Sequence, residues 1–313
     1  MVGSPRRPAA QCRRALPRTA GIRGLRLRRQ ALFAAGVRGG RGGPGGGAGR
    51  PPVAPMRGAF LQDLSWAEAA EWLNRGAVVL MPIGALAKQH GRHLPLSTDY
   101  RVAHALARGL AERLPLLVAP IVGFGYYPAF TAYAGSQHLR AETFIALLVD
   151  LMTGLIRQGA LRLALLNTGV STEAPIRLAL RQVFEETGVL ARAVDLHQVG
   201  LGARREVVAE PAGGHADEAE TSLLMAIAPE RVRPELAVSE QSAADRAGVS
   251  PFYRTGLLTP VPGAPGQFSA SGATGDPRRA SAAKGAAILS AMLDELTAGL
   301  RAEFPEAFPQ AGD

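Results

Sequence analysis

The chain has 313 residues and a formal net charge of +9, and its length is sufficient for one large α/β domain. The charge is unevenly distributed, because residues 1–55 contain 12 arginines and no acidic residue, which leaves 23 basic against 26 acidic residues in the rest of the chain. The mildly acidic remainder removes the main argument for nucleic-acid binding, so we expect no nucleic-acid partner, with binding through the basic first 55 residues as the remaining alternative.

The first 55 residues form an Arg- and Gly-rich leader, which we predict to be disordered or to lie upstream of a true start at Met56. The Arg-Arg pair at 28–29 precedes an apolar run, as in a twin-arginine export signal, but Arg38 interrupts that run. We therefore predict a cytoplasmic protein, with export as the alternative. Cys12 is the sole cysteine, which excludes an intrachain disulfide or a thiolate metal site, and no apolar run is long enough to span a membrane.

From Met56 onward, apolar segments typical of strands alternate with amphipathic segments typical of helices. Ser65 with Glu68 three residues later forms a capping box that predicts a helix over residues 65–73. The predicted strands are 77–83, 116–121, 161–166 and 189–197. The other predicted helices are 100–114, 142–158, 173–186, a segment including 223–228, and 279–304, whereas 200–214 and 229–277 are predicted to be mostly irregular. This alternation predicts a single α/β domain over residues 56–313, with a mainly parallel sheet covered by helices on both faces.

The loop after the predicted strand 77–83 carries His90, His93 and Asp99. In α/β sheets, ligands bind beyond the carboxyl ends of the parallel strands, where this loop would lie. Imidazole and carboxylate groups suit a divalent metal ion used in hydrolysis, although a plain polar loop can have the same composition. Lys88 lies two residues before His90, and its ammonium would repel a metal ion unless it points away or pairs with a carboxylate.

A second polar cluster, His215, Asp217, Glu218 and Glu220, lies at the entrance of a predicted helix. Acidic residues in a first turn complement the helix macrodipole, so a purely structural role is one interpretation of this cluster. The other interpretation is catalytic, because a histidine close to carboxylates can act as a general acid or base near neutral pH.

Two loops between these clusters have compositions that suit a pocket wall. The turn 167–172 follows a predicted strand, and its backbone N–H groups could bind a carbonyl or an anion, although a helix N-cap explains the same residues. Loop 123–140 contains three of the five tyrosines, among them Tyr127, together with His138. Aromatic loops of this kind often wall a pocket, and an ordinary packed loop is the alternative.

Taken together, these motifs resemble those of the creatininase (creatinine amidohydrolase) family, metal-dependent hydrolases of cyclic amides and formamides. The first motif reads Pro-Ile-Gly-Ala at 82–85 and Lys-Gln-His-Gly-Arg-His-Leu-Pro-Leu-Ser-Thr-Asp at 88–99. The second reads His-Ala-Asp-Glu-Ala-Glu-Thr-Ser at 215–222, and Gly-Asp-Pro at 275–277 is similar to the C-terminal family segment. The resemblance covers residues 60–300 and implies a single-domain three-layer α/β/α sandwich.

The resemblance also implies roles for individual residues. It implies that His90 and a bridging Asp99 are metal ligands and that His215 is the catalytic proton carrier. Two family ligands are missing, since Lys88 stands in place of a Glu and Gly169 stands in place of a His. We therefore expect one divalent ion at most, zinc or manganese, or none.

Further residues are candidates for the same site. The carboxylates and imidazole that could complete the metal ligands are Glu220, Glu173 and His138. The residues expected to line the pocket or to surround the ligands are Lys88, Gln89, His93, Asn167, Ser171, Asp217, Glu218 and Tyr127. Only the folded arrangement determines which of these side chains converge.

As function, the resemblance implies an amidohydrolase that opens the C–N bond of a small amide or cyclic amide, with His215 delivering the proton to the leaving nitrogen. The alternative is a family member that binds a small ligand without hydrolysing it, a hypothesis motivated by Lys88 and Gly169. The resemblance further implies a homo-oligomer, commonly a hexamer, whose partner is a small-molecule amide and not a membrane.

Overall fold

The computed structural model describes residues 56–210, 213–240 and 269–308. The leader predicted over residues 1–55, which includes Cys12, lies outside these ranges. Within them the chain forms one compact unit. None of the helices in this part of the chain is both long and apolar enough to cross a membrane.

The architecture is a parallel sheet with helices between its strands. The strands are β1 Ala59–Phe60, β2 Val79–Ile83, β3 Leu117–Val118, β4 Leu163–Asn167 and β5 Arg192–Asp195. The helices are α1 Trp66–Asn74, α2 Thr98–Arg113, α3 Ala141–Arg157, α4 Glu173–Thr187, α5 Leu201–Val207, α6 Glu218–Ile227 and α7 Ala282–Glu303. The strand order is β1-β3-β2-β4-β5, and every neighbouring pair is parallel.

The central strand β2 shows how the sheet separates two apolar layers. Its side chains alternate between faces, so Leu80 packs with residues of α2, α6 and α7. Val79, Met81 and Ile83 pack on the opposite face with residues of α1, α3 and α4. A strand buried on both faces is typical of a parallel sheet covered by helices, and the predicted three-layer α/β/α sandwich is confirmed.

Most predicted elements are present, with boundaries shifted by a few residues. The capping box is confirmed, since the Ser65 hydroxyl accepts the N–H of Glu68 at the start of α1. The prediction that 200–214 is irregular was wrong in part, because α5 forms there after Gly200, whose φ is 70°. Seven residues are too few to show a clear helical period. Strand β1 was not predicted, because two residues show no alternation.

Close packing of α6 against α7 fixes the position of the second polar cluster. A Cβ at Gly285 of α7 would lie 1.8 Å from the backbone oxygen of Ser222 in α6. Only glycine permits this approach, because the clashing atom belongs to the backbone and has no rotamer by which to move away. The contact holds α6 at a short distance from α7, and with it Glu218 and Glu220 of its first turn.

We expect Gly285→Ala to destabilise the protein by about 3 kcal/mol, at the upper end of the usual range for overpacking, because α6 and α7 must separate. Gly299→Ala in the same helix is the matched control, since a Cβ at Gly299 meets no atom within 4 Å. It should stabilise by about 0.5–1 kcal/mol through helix propensity. Urea unfolding of both variants measures the difference, and equal free energies of unfolding would contradict the packing argument.

Candidate active site

The loop between β2 and α2 brings Lys88, His90 and Asp99 together in the protein interior. Gly84 lets this loop pass close to α2, because a Cβ there would lie 2.6 Å from the backbone oxygen of Asp99. Lys88 Nζ lies 2.7 Å from Asp99 Oδ2, and His90 Nε2 lies 2.9 Å from Asp99 Oδ1. All three residues are buried. Each carboxylate oxygen of Asp99 therefore faces its own nitrogen.

The charges of this group follow from its contacts. Burial alone would raise the pKa of Asp99, but the Lys88 ammonium and the His90 ring hold that pKa well below its usual range, so Asp99 is ionised. His90 Nδ1 lies 2.9 Å from the backbone oxygen of Lys88, which can only accept, so Nδ1 carries a hydrogen. Nε2 is then the ring atom of His90 that can take a further proton or bind a metal ion.

His215 reaches the same site from the segment that precedes α6. The buried residue Ala216 adopts the left-handed region, with φ at 49°, at the point where the chain turns from His215 into the helix. His215 Nε2 lies 2.8 Å from the backbone oxygen of Gln89, so Nε2 donates its hydrogen there. His215 Nδ1 lies 3.7 Å from Glu220 Oε2.

Two rings pack against the imidazole of His215. The centroid of the His90 ring lies 4.7 Å from that of His215, and the centroid of Phe130 lies 4.6 Å from it. Burial, followed by the proximity of His90 and Lys88, lowers the pKa of His215 well below its ordinary value. The ring is therefore neutral near pH 7, the form that can accept a proton or bind a metal ion.

Glu220 completes the cluster from the first turn of α6. Its Oε2 accepts the N–H of Ala216 at 2.6 Å, which ties the carboxylate to the turn that carries His215. Burial raises the pKa of Glu220, although the neighbouring His90 opposes this effect. The partly exposed carboxylate thus lies beside two imidazoles.

Within the part of the chain that the structure describes, His90, His215 and Glu220 form the one group able to hold a metal ion, since one ligand atom from each lies within 4.8 Å of the others. Both imidazoles donate their second N–H to backbone oxygens of consecutive loop residues, Lys88 and Gln89. Outer hydrogen bonds of this kind fix the tautomer of a metal-binding histidine. The donor set therefore fits one divalent ion.

The acidic neighbours of Glu220 hold the backbone of α6. Asp217 is the N-cap, and its side chain accepts the N–H of Glu220 at 2.9 Å. Glu218 is fully buried, and its Oε2 accepts the N–H groups of Ala209 and Glu210 at 2.9 and 2.8 Å. The ammonium of Lys284 pairs with its Oε1. In these contacts both side chains stabilise the helix entrance.

Asn167 closes the turn after β4. Its Nδ2 donates to the Gly169 backbone oxygen and to Asp195 Oδ1, both at 2.7 Å. Its Oδ1 accepts the Thr172 hydroxyl at 2.6 Å and the N–H of Gly169 at 3.1 Å. Ser171 lies next to Thr172 in a short 3₁₀ turn, Val170–Thr172, and is partly buried. The turn is held by its own side chains.

Two other candidates for metal binding lie outside the group of His90, His215 and Glu220. Glu173 begins α4, and its carboxylate pairs with Arg177 at 2.5 Å. His138 Nδ1 accepts the N–H of Tyr127 at 3.0 Å and so holds the aromatic loop. Their roles as metal ligands stay predictions.

Three further predicted residues surround the cluster. Gln89 Nε2 donates to the Gly272 backbone oxygen at 2.9 Å, which joins the loop to the C-terminal segment. His93 Nε2 lies 2.9 Å from the Thr221 hydroxyl, and burial, with a smaller effect from His90, lowers its pKa to about 4. The Tyr127 hydroxyl is buried and has no hydrogen-bond partner among the described residues. His93 is therefore neutral and joins the loop to α6.

Several residues of the site were not identified from the sequence. Phe130 packs against His215 and Thr221 binds His93. Glu210 lies beside Asp217, and burial together with that carboxylate raises its pKa to about 7. Phe130 belongs to the aromatic loop, which was the available signal, whereas Glu210 lies in the stretch predicted to be irregular.

The chain is similar to known proteins over most of its length. The family model described as "Creatinine amidohydrolase" matches residues 62–300. The mycofactocin precursor peptide peptidase of Mycobacterium ulcerans (strain Agy99) is 31% identical over 246 residues, which cover 75% of this chain and 89% of the relative. The creatinine amidohydrolase of Pseudomonas putida is 28% identical over 267 residues, which cover 80% of this chain and 98% of the relative.

Solved creatininase structures share the fold. A structure described as "Creatininase Mn" aligns with a TM-score of 0.67 at 25% identity and covers 79% of this chain and 99% of its own. A mutant creatininase described as "Zn-Zn type" aligns with a TM-score of 0.64 at 25% identity, covering 79% and 98%. The shared motifs, the matched family model and the common fold lead to one conclusion: this chain belongs to the creatininase family of hydrolases.

Proposed function

We propose that this protein is a metal-dependent amidohydrolase that cleaves the C–N bond of a small amide or cyclic amide. The observation that carries the proposal is the convergence of the buried His90 and His215 with the partly exposed Glu220 beyond the carboxyl ends of the sheet strands. The relatives named above are an amidohydrolase and a peptidase, and both names describe cleavage of an amide bond. Their substrates differ, and the choice of a small amide rests on the resemblance to the creatininase family.

One divalent ion, zinc or manganese, would be held by His90 and Glu220, whose ligand atoms lie within 4.8 Å of each other. When bound, such an ion polarises a carbonyl group and lowers the pKa of a bound water. His90 is prepared for this role because its Nδ1 hydrogen is held by the backbone oxygen of Lys88.

His215 would move the proton from the attacking water to the leaving nitrogen. Its Nε2 hydrogen is held by the backbone oxygen of Gln89, so Nδ1 is the atom that accepts and returns the proton. Glu220 Oε2, at 3.7 Å from Nδ1, favours the charged ring while it holds the proton. Packing of Phe130 against the ring limits its rotation and the access of other water molecules.

Two further expectations concern the oligomeric state and the location of the protein. The resemblance to the creatininase family supports a homo-oligomer, with a hexamer as the expected form. A cytoplasmic location stays a prediction, with export as the alternative.

A second candidate function is binding of a small ligand without hydrolysis. The ion pair between Lys88 and Asp99 favours it, because this pair engages a carboxylate that the family resemblance assigns to metal binding. The two functions differ in their need for metal, so metal removal separates them.

Replacement of His215 by Asn should lower kcat by about 10²–10⁴-fold, the usual contribution of a proton-transferring side chain, while the zinc content stays unchanged. Glu220→Gln should lower both the zinc content and the rate. The matched controls are His104→Asn and Glu112→Gln on the exposed face of α2, which should change neither. Release of product from creatinine and other cyclic amides gives the rate, and inductively coupled plasma mass spectrometry gives the zinc content. Loss of zinc from the His215 variant would instead make His215 a ligand.

Dialysis against a chelator should abolish hydrolysis of any accepted amide, and added Zn²⁺ or Mn²⁺ should restore it, because the His90 and Glu220 donors hold the ion reversibly. A protein that hydrolyses no amide with either ion, yet shows a rise in Tm with the same compounds, would be the ligand-binding protein of the second candidate.

A further inference from the structure

Lys88 is a positive charge fixed inside the site. Its Nζ lies 2.7 Å from Asp99 Oδ2, and the two side chains are only 7% and 5% exposed. The same ammonium lies 5.0 Å from the ring centre of Phe130 and 5.8 Å from that of Tyr127, distances at which an aromatic ring attracts a cation. Charge pairing and the surrounding rings therefore hold this ammonium beside Asp99.

The chain contains two lysines, and each pairs with a buried carboxylate. Of 35 basic residues, only Lys88 and Lys284 are lysines. Lys284 pairs with the fully buried Glu218, as Lys88 pairs with Asp99. A lysine ammonium is a compact point charge that can approach a carboxylate as a metal ion does, whereas an arginine fork is planar and larger.

The donor atoms leave no place for a second divalent ion beside Asp99. Its Oδ2 is paired with the Lys88 ammonium, and its Oδ1 faces His90 Nε2, the ring atom that would bind the single ion. A second divalent ion beside Asp99 would also lie close to the Lys88 ammonium, because Nζ is 2.7 Å from Asp99 Oδ2, and the two positive charges would repel each other. Such repulsion is strong in a buried site, where water screens charge poorly.

We propose that the Lys88 ammonium takes the place of a second metal ion in this site, so that the protein binds one divalent ion and Lys88 supplies the remaining positive charge. The limit of one ion follows from the contacts of Asp99 alone. The consequence for the reaction rests on the proposed function: the ammonium would stabilise the negative charge that develops on the substrate carbonyl oxygen, as fixed cations do in other hydrolytic sites.

Zinc titration tests the proposal without a substrate. The full chain, equilibrated with Zn²⁺ and then desalted, should retain one zinc per chain by mass spectrometry. Lys88→Glu places a second carboxylate beside Asp99 and should raise the content to two. The matched control, Lys284→Met, removes the pairing of the other lysine with the buried Glu218 and should stay at one. Two zinc ions in the unaltered protein, or one in the Lys88→Glu variant, would overturn the proposal.

Lys88→Met keeps the test valid if the Glu variant does not fold. Without the ammonium, the buried Asp99 carboxylate has lost its counter-ion, so added Zn²⁺ should raise the Tm of this variant by more than it raises that of the unaltered protein. Equal shifts would overturn the proposal. Both measurements report ion binding only, so a failure to find any hydrolysed amide would count against the proposed function and leave the zinc result intact.

Discussion

The buried ion pair between Lys88 and Asp99 is the interaction on which the site depends. Removal of one partner from such a pair typically costs about 3–5 kcal/mol, because the other charge stays buried without compensation. The pair fixes Asp99 in the first turn of α2, and Asp99 in turn faces His90 Nε2. The orientation of the first imidazole therefore follows from an electrostatic contact that involves no metal ion.

Backbone oxygens also orient the second imidazole, that of His215. The oxygens of Lys88 and Gln89 each bind one histidine, so a single segment of loop determines the tautomers of both rings. The two histidines are 125 positions apart in sequence, yet their proton positions are set within one dipeptide. Side chains of the loop contribute charge, and its main chain contributes orientation.

The sequence predicted the fold well, because the fold depends on local patterns. The apolar run of β2 and the capping box of α1 are properties of short segments. Local patterns do not predict which side chains meet in the folded protein. Glu220 lies with the two histidines, whereas Glu173 pairs with Arg177. The sequence allows Lys88 either to point away from the site or to pair with a carboxylate. The path of the loop in the structure places its ammonium against Asp99.

The close contact of Gly285 with Ser222 also determines when, during synthesis of the chain, α6 can pack in its final position. His90 and Asp99 leave the ribosome early, but α6 acquires its supporting surface only when α7, residues Ala282–Glu303, has been made. The segment with His215 pairs through its backbone with Thr274, which also comes late. The cluster of His90, His215 and Glu220 thus gains this support only at the end of translation, so a chain truncated before residue 282 would contain every residue of the cluster and lack the support that holds it together.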